Sequence, residues 1–211
     1  MSHTISRLLP GLWALALLVL LSGCLEQSQP ATLHSLQLPV QPPLSSRPFA
    51  LPGLVLLMPV QAAPHLQGRN LLVQRPDGEA QATSGHLWTA TLDRQIGQRM
   101  TVALQQLLAT DNIAQYPGPR YGVIGYQVEI ELQEFSGDGH SFTTQATYTI
   151  SDMARKTILR RKTFHQQRTI DKADYSGYVA SASQALADLS REVAINLQEA
   201  ISPVLNSKAK P

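Results

Sequence analysis

The sequence predicts an α+β fold, a mostly antiparallel sheet packed by two main helices at about residues 92–109 and 175–201. Three observations predict it. Apolar residues recur at three- and four-residue steps in both helical stretches. Tyr126–Leu132 alternates apolar and polar side chains, the period of a half-buried strand. Short loops separate three strand-like stretches between Tyr126 and Gln167, which implies an antiparallel meander.

Thr32–Val40 alternates weakly, with Leu36, Leu38 and Val40 on one side, and reads as a first strand. Gln41–Pro52 holds four prolines, so it should be irregular and extended. Leu54–Val60 is a continuous apolar run, the length of a buried strand. Leu71–Gln74 and the stretch up to Trp88 flank Pro76-Asp77-Gly78. Proline presets one turn angle and glycine permits the other, so the two stretches should pair. In the first helix Leu92, Ile96, Met100, Leu104, Leu107 and Leu108 share a face. Thr91 is placed to cap it, Asp93 suits its positive end, and Asp111-Asn112 should end it. Along the meander, Tyr126, Val128, Ile130 and Leu132 face one way; Gln127, Glu129, Glu131 and Gln133 face the other. Ser136–His140 should be a loop. Phe142, Thr144, Ala146, Tyr148 and Ile150 line the second strand, Asp152–Lys156 turns the chain, and Thr157–Gln167 is the third strand. The second helix buries Val179, Ala182, Leu186, Leu189, Val193, Leu197 and Ile201, and turns Gln184, Asp188, Arg191 and Gln198 outward. Asp174 or Ser176 can cap it, and Pro203 should stop it, because the residue before a proline avoids helical geometry. No internal repeat is visible.

The amino terminus has the three-part layout of an export signal. A short polar start contains Arg7. Leu8–Leu21 is then almost wholly apolar, and Leu21-Ser22-Gly23-Cys24 follows. The apolar run is about 14 residues, whereas a spanning helix needs about 20. The small residues let a peptidase approach the backbone, and Cys24 offers a thiol for acylation. These four residues resemble the lipobox of bacterial lipoproteins, so residues 1–23 read as a cleaved signal peptide and 24–30 as a lipidated tether. An uncleaved anchor, or a secreted protein with a chance cysteine, is the competing reading. Cys24 is the only cysteine. In an oxidising compartment it has no internal partner, and acylation accounts for it. Bacterial lipoproteins usually carry three acyl chains, palmitate among them. At about 0.8 kcal/mol per buried methylene, two long chains already anchor a protein stably. Leu25, not aspartate, follows the cysteine, which in enteric-type lipoproteins directs the protein to the periplasmic face of the outer membrane of a Gram-negative cell.

Cleavage leaves about 188 residues, enough for one ordinary domain at 31–205 with a frayed tail at 206–211. The net charge of +2 provides no basic stripe for nucleic acid. Arg155-Lys156 and Arg160-Arg161-Lys162 read first as a solvated face, with anionic lipid headgroups or an acidic partner as the alternative. No Gly-x-Ser-x-Gly elbow, His-Glu-x-x-His helix, phosphate loop or dinucleotide fingerprint occurs, so no catalytic, metal or cofactor-binding residue is assigned. The six histidines (His3, His34, His65, His86, His140, His165) lie far apart in the chain, although a fold can gather distant residues. Asp138, His140 and Ser141 in a glycine loop read as turn chemistry. Glu129 and Glu131, about 7 Å apart on one strand face, read as solvent-facing.

Three segments carry a family resemblance: His86–Asp93, Tyr126–Ile130 continuing to Glu134-Phe135, and Tyr178–Ala194. With the lipobox, their order and spacing resemble the PqiC-type auxiliary lipoproteins of ABC-type transport systems, over nearly all of the mature chain. Two departures bear on partner surfaces. His65 stands where the family often has tyrosine after Pro64, and Tyr148 stands where a tryptophan is common. The resemblance implies a non-enzymatic component of an MCE-type intermembrane lipid transport system that supports membrane integrity. It also implies a PqiB-like MCE-domain partner, a homo-oligomeric ring and possible contact with phospholipid. A structural lipoprotein of another trans-envelope assembly and a periplasmic enzyme are the alternatives. Trp88 is the candidate partner or lipid contact; the competing reading is a core tryptophan where strand meets helix.

Overall fold

The computed structural model describes residues 30–75, 78–118 and 122–208. The expected signal, Cys24, nearly all of the tether, Pro76-Asp77 of the expected turn and residues 209–211 lie outside the described residues. Contacts divide the chain into Met1–Ala31 and Thr32–Pro211. Of the first unit only Pro30 and Ala31 are described, both exposed.

The second unit runs β1 Thr32–His34, β2 Leu54–Leu57, β3 Gln61–Ala62, a 3-10 turn Pro64–Leu66, β4 Asn70–Gln74, β5 Ala80–Trp88, α1 Leu92–Leu108, β6 Ile113–Gln115, β7 Ile124–Gly137, β8 Ser141–Asp152, β9 Thr157–Thr169 and α2 Tyr175–Lys208. The strands form one sheet around β7. One edge of β7 pairs with β8 along its length, and β8 pairs with β9. The other edge takes β2, β3 and β4 in turn. β6 lies outside β2, and β5 then β1 lie outside β4.

The α+β class holds, and the sheet is mixed. The long pairings β7–β8, β8–β9 and β4–β5 are antiparallel; β2, β3 and β4 run parallel to β7, β6 parallel to β2, and β1 parallel to β5. β2 explains the parallel part. Its Leu-Val-Leu-Leu run sits between β6 and β7, and Val55, Leu56 and Leu57 are all buried. A strand covered on both faces needs no alternation.

β7 extends past Leu132, where the clean alternation stops. Leu132 pairs with Ala146 and Glu134 with Gln145, so Gln133 is an extra residue in the ladder. This bulge shifts the period by one, and Phe135 returns to the core face. Ser136 and Gly137, expected in a loop, pair with Thr143 and Phe142. Gly137 lets the Tyr178 ring pack closely: a Cβ there would lie 3.0 Å from the ring, which would have to shift.

The first strand is shorter than its alternation predicts. After His34 the chain leaves the sheet, because side chains take over its amides. Leu36 N donates to Gln95 Oε1 at 2.9 Å and Gln37 N to Ser183 Oγ at 3.1 Å. Leu36 is fully buried in the core.

In α1 the predicted stripe is buried throughout. Thr91 occupies the N-cap position, but its side chain makes no capping bond; only its carbonyl accepts, from Gln95 N. The carboxyl end shows what the proline-rich segment does. The last four carbonyls of any helix lack helical partners. Here Ala109 and Thr110 donate to Gln106 and Gln105, Leu44 N donates to Leu107 O, and Phe49 N to Leu108 O. The irregular Gln41–Pro52 stretch therefore satisfies half of that helix end.

Ala109 closes this motif in the left-handed region, at φ 49°. A Cβ costs about 1–2 kcal/mol there, and glycine avoids that cost. Glycine also loses more freedom on folding, about 0.5–1 kcal/mol. Ala109→Gly should thus raise the melting temperature by a few degrees at most, read by differential scanning calorimetry; a loss would show the cap geometry to be wrong.

Asp174, the first of the two expected caps, caps α2: its Oδ1 accepts from Gly177 N at 2.8 Å. The helix continues through Pro203 to Lys208, beyond the expected stop. Proline removes one donor to the carbonyl four residues back, here Glu199. Pro203 is exposed and near the helix end, where that carbonyl can turn to water, while Ser202 Oγ donates to Gln198 O. The outward residues are half-buried rather than free. Asp188 accepts from Gln166 and Arg168 of β9 and from Gln184. Burial pushes its carboxyl up, but these bonds and the Arg168 charge outweigh it and hold the group below the ordinary range.

Candidate functional site

The described residues with most unexplained chemistry gather where β1, β5 and the start of α2 meet. The register Thr32↔His86 to His34↔Trp88 lays β1 on β5. It brings together two histidines 52 positions apart: His34 Nε2 and His86 Nδ1 share a hydrogen at 3.0 Å. Tyr175, the first residue of α2, stacks on His86 with ring centroids 3.6 Å apart. Beside this trio runs a groove of about 670 Å³ between Leu33–Pro39 and α2, lined among others by Leu33, Leu38, Val179, Ala180 and Gln184. Leu33, which lines it, is exposed.

The imidazole pair can hold one proton between its nitrogens, but two protons place like charges in contact. Desolvation first, then the His86 charge, lowers the His34 pKa below 6.5. The folded state then binds fewer protons than the unfolded chain. The stability at stake is complete above the unfolded value and falls as pH drops through the lowered one. The melting temperature of the wild type should fall more between pH 7.5 and pH 5 than that of His34→Gln. Equal falls would remove the pair from the account.

The remaining candidates resolve into structural roles. Asp138 Oδ1 accepts from the amides of His140 and Ser141, and Ser141 Oγ donates to Oδ2. This cluster closes the β7–β8 hairpin, and those amide bonds, led by that of Ser141, lower the Asp138 pKa against burial. Glu129 accepts from Gln127, and Glu131 meets Arg161 at 3.1 Å. Arg155 lies 3.8 Å from Asp152, and Arg160 2.9 Å from Glu199. Among the described residues, no three His, Cys, Asp or Glu side chains are placed to hold a metal ion. No helix among them is long and apolar enough to cross a membrane.

Trp88 is 1% exposed. Its ring tilts against Tyr178 at 6.4 Å, and Tyr178 meets Phe142 edge-on, as Phe142 meets Phe135. Tyr178 is fixed in turn by donating its hydroxyl to Leu72 O at 2.8 Å. Tyr148 is fully buried and donates to Glu192. Burial, then the Glu192 bond and charge, raise its pKa.

The sequence matches the family described as "ABC-type transport auxiliary lipoprotein component" over residues 34–194. The protein belongs to this family. As an ABC-type transport auxiliary lipoprotein component it is an accessory of a transport system, tied to the cell envelope as a lipoprotein. The fold is shared with solved structures. Protein XCC0632 from Xanthomonas campestris, described under the family name DUF330, superposes with a TM-score of 0.69 at 16% identity, over 85% of this chain and all of that one. An uncharacterized protein superposes with a TM-score of 0.66 at 15% identity, over 80% of this chain and 99% of its own. No curated protein matches the sequence.

The segments that carry the resemblance are mostly interior in this auxiliary lipoprotein. In Tyr178–Ala194, Tyr178, Ala182, Leu186, Leu189, Ser190 and Val193 are buried. The His34–His86–Tyr175 cluster was not read from the sequence, since its members are joined only by strand register.

Proposed function

We propose that the protein is a non-enzymatic, lipid-anchored component of an MCE-type intermembrane lipid transport system. Acylated Cys24 holds it on the periplasmic face of the outer membrane. There it forms a homo-oligomeric ring that receives an MCE-domain, PqiB-like partner and supports membrane integrity. The observation that carries this reading is the family match over 34–194, lying directly behind a Leu-Ser-Gly-Cys sequence that ends an apolar run. The physical need is plain. Each methylene of a phospholipid exposed to water costs about 0.8 kcal/mol, so a lipid must travel along a continuous apolar path. Such a path needs an end-piece fixed at the far bilayer. The energy comes from a separate ATPase, and the fixed piece needs no chemistry of its own.

The test is purification of the full-length protein from the envelope of its native host, with mass spectrometry of bound proteins and lipids. An MCE-domain protein recovered in stoichiometric amount, with phospholipid, is the expected result. Partners from a different trans-envelope machine would replace the transport reading with a structural one. Turnover of an envelope substrate, abolished by one acid or histidine substitution, would replace it with an enzyme.

A further inference from the structure

β9 lies at the edge of the sheet beyond β8, and no described strand pairs with its outer side. Its register with β8 is unbroken from Ser141↔Thr169 to Ile150↔Arg160. Residues of an antiparallel strand turn their N–H and C=O alternately toward the partner and away from it. Ile170 N donates to His140 O at 2.7 Å, one step beyond that ladder, which sets the phase. Arg160, Lys162, Phe164, Gln166 and Arg168 therefore bond to β8. Arg161, Thr163, His165, Gln167 and Thr169 turn their main-chain groups outward. All five are exposed, and no hydrogen bond among the described residues uses those groups. They recur every ~6.8 Å over ~27 Å, with no proline or bulge between them.

Proteins keep free edges short, kinked, covered or charged. Elsewhere in this sheet the free edges are short or kinked. β1 and β6 have three residues each. β5 lacks an outer neighbour only before His86, and Gly85 kinks it there at φ 76°. β9 is long and straight, and its four fixed charges, on Arg160, Arg161, Lys162 and Arg168, are all positive. The three arginines meet Glu199, Glu131 and Asp188 in turn. Lys162 is exposed and makes no ion pair among the described residues.

We infer that the outer edge of β9 binds an extended, carboxylate-bearing segment of a partner protein, which joins the sheet as a further strand. The inference goes beyond the transport role and does not depend on the anchor. The edge selects a main chain, because only another strand supplies donors and acceptors at the same repeat. Charge selects whose strand it is. A second β9 would set cation beside cation. The remaining edges of a second copy are too short or too kinked to match Arg161–Thr169. Carboxylates on the added strand would instead meet Lys162 on the side that faces α2 and Arg161 on the other.

The experiment places a benzophenone amino acid at His165, or at the exposed Gln98 of α1 as a control, in the full chain made in its native host. Irradiation should give one protein adduct from the His165 position and none from the Gln98 position. The adduct should map to a peptide with Asp or Glu among alternating residues. Thr163→Pro removes an N–H that points outward and leaves the bonds to β8, so it should lower the yield about five-fold. Thr163→Val keeps that N–H and should leave the yield unchanged. Lys162→Glu should lower the yield to a similar degree, and Lys162→Arg should not. Melting temperatures near that of wild type show that the variants fold; where Thr163→Pro does not, the two Lys162 variants decide. The inference is overturned by an adduct with lipid or with a second copy, by a peptide without acids, or by no adduct. Equal yields from folded proline and valine variants, or from the two Lys162 variants, also overturn it.

Discussion

Trp88→Ala is expected to destabilise the fold by about 3–5 kcal/mol, the usual cost of removing a buried tryptophan ring. For a domain of this size that is a fall of about 6–20 °C in melting temperature. The reason is position. Trp88 ends β5 one turn ahead of α1, and its ring starts an aromatic chain through Tyr178, Phe142 and Phe135. Its backbone is also clamped to Arg69, whose carbonyl accepts from Trp88 N while its Nε donates to Trp88 O. Urea unfolding of the variant measures the cost. If stability stayed within about 1 kcal/mol of wild type while partner or lipid binding was lost, Trp88 would be a contact residue rather than a packing one. Trp88→Phe separates the two further: a partly filled site should recover much of the stability.

Gln95→Leu should cost about 2–5 kcal/mol although it places an apolar residue in an apolar setting. Gln95 lies on the buried face of α1, 5% exposed. Its Oε1 accepts the amide of Leu36, and its Nε2 donates to Ala90 O at 2.9 Å. Leucine has nearly the same length but neither group. The substitution would strand a buried amide and a carbonyl at the points where the segment after β1 and the entry to α1 are fixed. An unpaired buried group costs about 1–3 kcal/mol. Hydrogen exchange at the Leu36 amide should accelerate together with the loss of stability. A variant as stable as wild type would show that water replaces both bonds.

These residues also show what the sequence could disclose. Period is a local property. The α1 stripe and the alternation of β7 are therefore legible from side chains a few positions apart. β6 was missed because Ile113–Gln115 is three residues long and exists only by pairing with β2. The parallel pairings were missed for the same reason: nothing inside Leu54–Leu57 records which strand lies beside it. Gln95 did leave a signal. It stands three residues after Leu92 on the buried stripe, where a polar side chain must find partners. The His34–His86 contact left none, because 52 residues and a strand register separate its halves. The family resemblance was readable because its segments are largely core. By the same token it says little about the surface a partner would meet.

Cys24 decides the account most directly. The mature protein, extracted from outer membranes of its native host, should begin at Cys24 and weigh more than its polypeptide by an acylated glyceryl group, and Cys24→Ser should abolish that mass and release the protein from the membrane fraction. An unacylated amino terminus on a freely soluble protein would contradict it.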